Sequence, residues 1–184
     1  MKIVFLSCCS VTIELENNDI YFSNEPYDIY LNNEKIFSSY NKNVFSIFDL
    51  TPNTKYDIKI NNETFSFVTE SASNIIDVYP NKINDNEQIQ SVFDNASENS
   101  LIVFHEGIYH VKNLFLRSNT TINLKKGVIF SASTNPDDYL ELHGEEMING
   151  ELIQRGTWEG EPWNMKLAMI NIIDASNIKL VGQG

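Results

Sequence analysis

The residues able to carry acid–base, metal or thiol chemistry are scattered along this chain, and few share the spacing that such chemistry needs. Asp137 and Asp138 are adjacent carboxylates, but they sit in a Pro-Asp-Asp-Tyr turn, where neighbouring acids usually cap and face solvent. His105 and His110 flank a short apolar run with no Cys or carboxylate cluster at ligand spacing, so no metal is expected. Cys8 and Cys9 are neighbours in the first apolar run. On a strand they would point to opposite faces, poorly placed to bridge each other. No other Cys is present, so two free thiols are expected, which favours a reducing compartment. The densest gathering of polar and aromatic groups lies in residues 140–168. It holds Glu141, Glu145, Glu146, Glu151, Glu159, Glu161, Trp158, Trp163, Arg155 and Lys166. With little periodicity and several glycines, that stretch reads as a long excursion bordering a groove.

The elements that must position these groups are short. Residues 101–133 break into apolar runs at 101–104, 108–111, 114–116, 122–124 and 128–130, rich in β-branched and aromatic residues. Such runs are strands, and the gaps are too brief for crossover helices. Before them, alternating strands are expected at 11–15, 20–22, 27–31, 35–37, 44–48, 56–60 and 64–68, with Asn-rich turns between. Lys2 and the apolar residues 3–6 read as a first strand, not as a cleaved leader. Residues 71–74 are small and polar and form the expected linker. One helix is expected from Asp85 or Asn86, either of which can cap it, with Ile89, Val92, Phe93 and Ala96 as its apolar stripe. A single amphipathic helix there can plug the open end of a stacked solenoid.

The net charge is −12, with both halves acidic, which argues against a nucleic-acid partner. No apolar run approaches membrane-spanning length, and no cofactor is expected.

Leu50, Pro52, Thr54 and Tyr56 form a Leu-x-Pro-x-Thr-x-Tyr run. It resembles the fibronectin type III family over about residues 5–70. That resemblance implies a β-sandwich in which the Tyr56 hydroxyl ties back to the backbone. Residues 75–184, with helix, short strands, Ser118-Asn119 and the turn 135–139, resemble the N-terminal cap and first coils of glycoside hydrolase family 28, the polygalacturonases. The resemblance implies an all-β chain: a fibronectin III-like sandwich (1–70), a linker (71–74) and the helix-capped start of a right-handed parallel β-helix (75–184). One departure is the Pro80–Asp85 segment, where the family often carries a Gly-Asp-rich turn. Internal repetition points the same way: Ser118-Asn119 and Ser176-Asn177 both precede alternating apolar residues, and Asn at stacked corners can hydrogen-bond along the stack.

The family hydrolyses α-1,4-galacturonosidic bonds by inversion, using Asn-Thr-Asp, Asp-Asp, Gly-His-Gly and Arg-Ile-Lys motifs further along the β-helix. Asn-Thr-Asp, Gly-His-Gly and Arg-Ile-Lys are absent from the 184 residues, and neither Asp137-Asp138 nor His143-Gly144 stands in for them. No catalytic residue is therefore assigned, and the chain is expected to be inactive alone. Substrate contact falls to Trp158 and Trp163, which can stack on a pyranose, and to Arg155 and Lys166, which can meet a uronate carboxylate. Burial of both rings against the core is the favoured alternative. Polygalacturonate or its oligomers are the expected partners, together with self-association through an open β-helix end. The competing functions are a non-catalytic carbohydrate-binding or structural module and the start of another β-helix protein, such as a polysaccharide lyase. A cytoplasmic location is favoured over secretion.

Overall fold

A computed structural model describes every residue except Ile20, Lys82 and Asn84. The start of the expected 20–22 strand and part of the Pro80–Asp85 departure therefore lie outside the described residues. The chain is all-β apart from one α-helix and one short 3-10 turn among the described residues.

The first half contains β1 (Lys2–Leu6), β2 (Val11–Glu14), β3 (Phe22–Leu31), β4 (Glu34–Lys42), β5 (Val44–Ile47), β6 (Lys55–Ile60) and β7 (Glu63–Val68). They form two antiparallel sheets, ordered β1-β2-β5 and β4-β3-β6-β7. Alternation decides the faces. In β6, Tyr56, Ile58 and Ile60 are buried while Lys55, Asp57 and Lys59 are exposed, as a two-residue side-chain period requires. Val11, Ile13 and Phe45 from one sheet meet Tyr27, Ile29 and Ile58 from the other, so the core lies between the sheets. Where two short strands are expected at 20–22 and 27–31, the described residues form the single strand β3. It runs through Pro26, and its register against β4 shifts three times. A proline is tolerated at such bulges because the ladder bond it cannot donate is already lost.

Leu50 is buried in this core, and Pro52 is half-buried. The Tyr56 hydroxyl accepts the Thr51 N–H at 2.9 Å. Tyr56→Phe removes that acceptor while keeping the ring, so a loss of about 1 kcal/mol in unfolding free energy is expected by urea denaturation. No change in midpoint would mean that water replaces the hydroxyl without cost.

The second half pairs in parallel. Its strands are β8 (Asn74–Val78), then, after α1 (Asp85–Asn95), β9 (Ser100–Phe104), β10 (Gly107–Val111), β11 (Leu114–Phe115), β12 (Thr120–Leu124) and β13 (Val128–Ala132). The 3-10 turn Pro136–Asp138 leads into six short strands, β14 (Glu141–Leu142), β15 (Glu145–Ile148), β16 (Glu151–Gln154), β17 (Thr157–Trp158), β18 (Glu161–Pro162) and β19 (Met165–Lys166). β20 (Ile170–Asn171) and β21 (Ile178–Gly182) follow. Three parallel ladders result: β8-β9-β12-β21, β10-β13 and β11-β20. Like stacks on like, with Ile76, Ile102, Ile122 and Leu180 in one register line. Inside, Phe104 meets Phe93, Tyr109 and Phe130 at ring-centroid distances of 6.2, 5.3 and 5.1 Å.

Asparagine turns the corners. Among the described residues, ten of the fourteen non-glycine positions at positive φ are Asn, the side chain that best tolerates the left-handed region, which explains why so many are needed. Asn99, Asn119 and Asn177 each precede a ladder strand at φ of 60°, 58° and 54°. Asn99 N–H donates to the Asn119 carbonyl at 2.7 Å, and Asn177 Nδ2 donates to Asn119 Oδ1 at 3.0 Å. The repeat in the sequence reveals Asn119 and Asn177. Asn99 escapes it because Glu98, not serine, comes before.

The helix stripe is as expected, with Ile89 and Phe93 buried and Val92 and Ala96 packed beside them. Asp85 and Asn86 have a different task from the expected cap. They are the first two helical residues, and their side chains accept strand amides: Asp85 from His110 at 2.8 Å, Asn86 from Lys112 at 2.7 Å. Gln90 accepts from Phe115 N–H at 2.8 Å and donates to its carbonyl at 3.2 Å. The helix thus satisfies the exposed edges of β10 and β11, while β8 pairs the edge of β9.

The two halves touch along β9. All five of its residues are buried. Ile102 and Phe104 face the core of the second half, whereas Leu101 and Val103 meet Cys8 and Cys9 of the first. Asn123 Nδ2 donates to Asp49 Oδ1 at 3.1 Å, and Lys179 Nζ reaches the Leu6 carbonyl at 3.2 Å and the Glu70 carboxylate. Asn74, placed in the linker by its composition, already belongs to β8.

Candidate functional site

Residues 140–168 leave the ladders as small antiparallel hairpins. β14 pairs with β19 at the base, and β15-β16 and β17-β18 project beyond it. Asn149-Gly150 and Glu159-Gly160, all at positive φ, make the two-residue turns that suit the twist of a hairpin. The backbones approach closely where glycine permits it: a Cβ on Gly144 would lie 2.4 Å from the Trp163 nitrogen. Gly144 N–H donates to Asn164 Oδ1 at 2.9 Å, and Trp163 N–H to the Gly156 carbonyl at 2.9 Å. Strands of two to four residues are too short to register as an alternating pattern, so the sequence reads them as irregular. The Asn-Gly dipeptide at 149–150 is the signal that could have found the first hairpin.

The rings favoured for burial are instead in solvent: Trp158 is 66% exposed and Trp163 60%. They sit on and just beyond the β17-β18 hairpin, which pairs with none of the ladders. Arg155 Nε lies 3.1 Å from Glu146, a charge contact without hydrogen-bond alignment. Lys166 Nζ lies 3.4 Å from Glu141, its directly opposed neighbour in the β14-β19 ladder. The structure thus brings the four candidates into one excursion, rings outward and cations facing glutamates.

A cleft of about 450 Å³ opens elsewhere, between the two halves. Phe5, Thr12, Phe48, Leu124 and Leu180 line it, with Ser10 and Ser46 as further polar side chains and no side-chain carboxylate or imidazole among the described residues. It can receive an apolar or hydroxylated group but supplies no general acid or base. A more polar cleft of about 330 Å³ beside the helix start includes Asp85, His110, Lys112 and Asp138. Two of its three carboxylates are engaged: Asp85 accepts His110 N–H, and Asp138 accepts the Ser133 hydroxyl, while Glu87 also lines the cleft. Asp137 and Asp138 lie in an exposed 3-10 turn capped by Asn135.

The thiols occupy a corner, not a strand. The Ser7 hydroxyl accepts the N–H groups of Cys9 and Ser10 at 3.2 and 2.9 Å, which bends the chain between β1 and β2. Hydrogen bonding from Cys9 holds the Cys8 thiol down at about 7, and the same contact, with burial, pushes Cys9 up. Both are 2% exposed and pack on Leu101 and Val103, so their role in this state is packing. His105 Nε2 lies 2.7 Å from Asp77 Oδ1, its ring stacked on Tyr79 at 4.3 Å.

The architecture is that of an all-β chain in which a pair of antiparallel sheets precedes helix-capped parallel ladders. Among solved structures the chain is similar to the family 28 exopolygalacturonase of Yersinia enterocolitica, at 17% identity and a TM-score of 0.58. The likeness covers 98% of this chain and 39% of that one, and at this identity it supports a family 28-like fold alone. The chain thus spans about two fifths of the length of that enzyme. No family model matches the sequence, and no curated protein matches it.

Proposed function

We propose that this chain is the N-terminal portion of a pectin-degrading glycoside hydrolase of the polygalacturonase kind. In this reading residues 1–70 are a fibronectin III-like sandwich, 71–74 a linker, and 75–184 the capped first coils of a right-handed parallel β-helix. The catalytic carboxylates, which would hydrolyse α-1,4-galacturonosidic bonds with inversion, belong to later coils of a longer polypeptide. The observation that carries the reading is the likeness to an exopolygalacturonase over 98% of this chain, through both the antiparallel and the parallel half. At the end of the ladders away from the helix, Ile172 and Leu180 are exposed. Later coils are the preferred cover for these side chains, and a second copy is the alternative. The proposed location is cytoplasmic, where such an enzyme would trim imported oligosaccharides.

A reducing-end assay on polygalacturonate tests the reading. This chain alone is expected to give no turnover. A polypeptide extended by the downstream gene sequence, carrying Asn-Thr-Asp and Gly-His-Gly, is expected to give it. Turnover by the 184 residues alone, or a downstream region without those motifs, would refute it.

A further inference from the structure

The β17-β18 register makes Trp158 and Trp163 a pair. Trp158 opposes Glu161, and Trp163 N–H bonds the Gly156 carbonyl two residues further along. Side chains two apart on a strand share a face, so Trp158, Glu161 and Trp163 lie on one side of the hairpin. Gly156 itself is buried, and a Cβ there would meet the Trp163 carbonyl at 2.9 Å and the side chains of Met165 and Leu142, so the pairing closes on the base of the excursion while the two rings stay outside. At 66% and 60% exposure, both rings are open to a ligand. Their surroundings are acidic: residues 140–168 carry six glutamates against one arginine and one lysine, net −4. Arg155 and Lys166 lie 3.1 and 3.4 Å from glutamates, so each cation is already partly neutralised where an incoming anion would meet it. Glu159, in the turn, and Glu161 are exposed beside the rings.

We propose that this face is a stacking site for an uncharged pyranose polymer and that it discriminates against free polyuronate. The indoles take the C–H faces of the sugar rings, and Glu159 and Glu161 accept hydroxyl hydrogens. A polymer with a carboxylate on every residue meets like charge at a few ångströms, well inside the Debye length of about 10 Å at 0.1 M salt. Resting on the pectic reading above, the occupant is galacturonan whose carboxylates are blocked as methyl esters. The arm then holds esterified stretches, leaving de-esterified ones to a catalytic groove.

The chain contains two tryptophans, and both are here, so intrinsic fluorescence reads this site. Galacturonate oligomers of one length, methyl-esterified and free, are titrated at low and at high salt. Neutral gluco-oligomers and chitosan oligomers are titrated alongside. The esterified oligomer is expected to shift the emission and bind about tenfold tighter or more than the free acid at low salt. The gap is expected to narrow at high salt and in E159Q/E161Q. Trp158→Ala and Trp163→Ala, followed by affinity electrophoresis, should each abolish retention. Equal or tighter binding of the free acid, binding of chitosan alone, or no shift with any polymer would overturn the proposal. A shift with neutral gluco-oligomers but not with esterified galacturonan would uphold recognition of an uncharged sugar and sink the pectic assignment.

Discussion

Phe104→Ala is expected to cost about 3–5 kcal/mol of unfolding free energy, the range for emptying a fully buried aromatic site. Phe104 has no exposed surface and is the ring that Phe93 of α1, Tyr109 of β10 and Phe130 of β13 all approach. Deleting it removes transfer energy and leaves a cavity whose walls belong to three elements with separate backbone constraints, so collapse is limited. Urea denaturation followed by far- and near-ultraviolet circular dichroism measures the loss, and Phe104→Leu should lose less. A loss under about 1 kcal/mol for the alanine variant would show that the ladders close without the aromatic cluster. The expected effect exceeds that of the Tyr56 hydroxyl because a whole ring is lost, not one hydrogen bond.

Gln90→Ala should cost about 1–3 kcal/mol, because it leaves a partly buried strand amide and carbonyl without partners. The Gln90 amide bridges both polar groups of Phe115 and also donates to Asp94 at 2.9 Å. Helix propensity acts the other way, alanine being the better helix former, so the sign of the effect separates the two causes. If tertiary clamping governs, Gln90→Ala destabilises and the Phe115 amide loses protection from hydrogen exchange. Unchanged protection would remove the edge-clamping role. Gln90→Glu keeps the acceptor but loses the donor and adds a charge beside Asp94, so it should fall between alanine and wild type. Gln90→Ala also bears on acid stability. Burial works against ionisation of Asp94, yet Gln90 and Arg117 hold its carboxyl below the usual value. With the folded value depressed, the stabilisation is present above the unfolded value and fades as pH falls through the folded one. The variant should lose part of that fading.

Much of the fold was legible because it is written in local chemistry. The helix stripe at Ile89 and Phe93 and the Asn corners follow from periodicity and backbone preference. The continuous apolar run at 101–104 carried a further message. Alternation marks a strand with one wet face, and its absence in β9 marks burial on both sides, by the core and by the Cys8–Cys9 corner. The candidate site was less legible. Trp158 and Trp163 look like core residues by type, and only their place on a projecting hairpin exposes them. Arg155 and Lys166 look like free cations until the folded hairpins bring Glu146 within 3.1 Å of the first and the β14-β19 register sets Glu141 opposite the second.

Residue types and spacing alone determined where the helix, the Asn corners and most of the longer strands fall, because those choices are made by side-chain period and backbone strain within a few neighbours. Tertiary structure decided what each face meets. Asn123 lies 74 residues from Asp49, and Lys179 lies 173 from the Leu6 carbonyl. No local propensity encodes such partners. They are chosen when parallel ladders stack in register and a second sheet pair closes over them, since burial and pairing depend on what arrives from elsewhere in the chain.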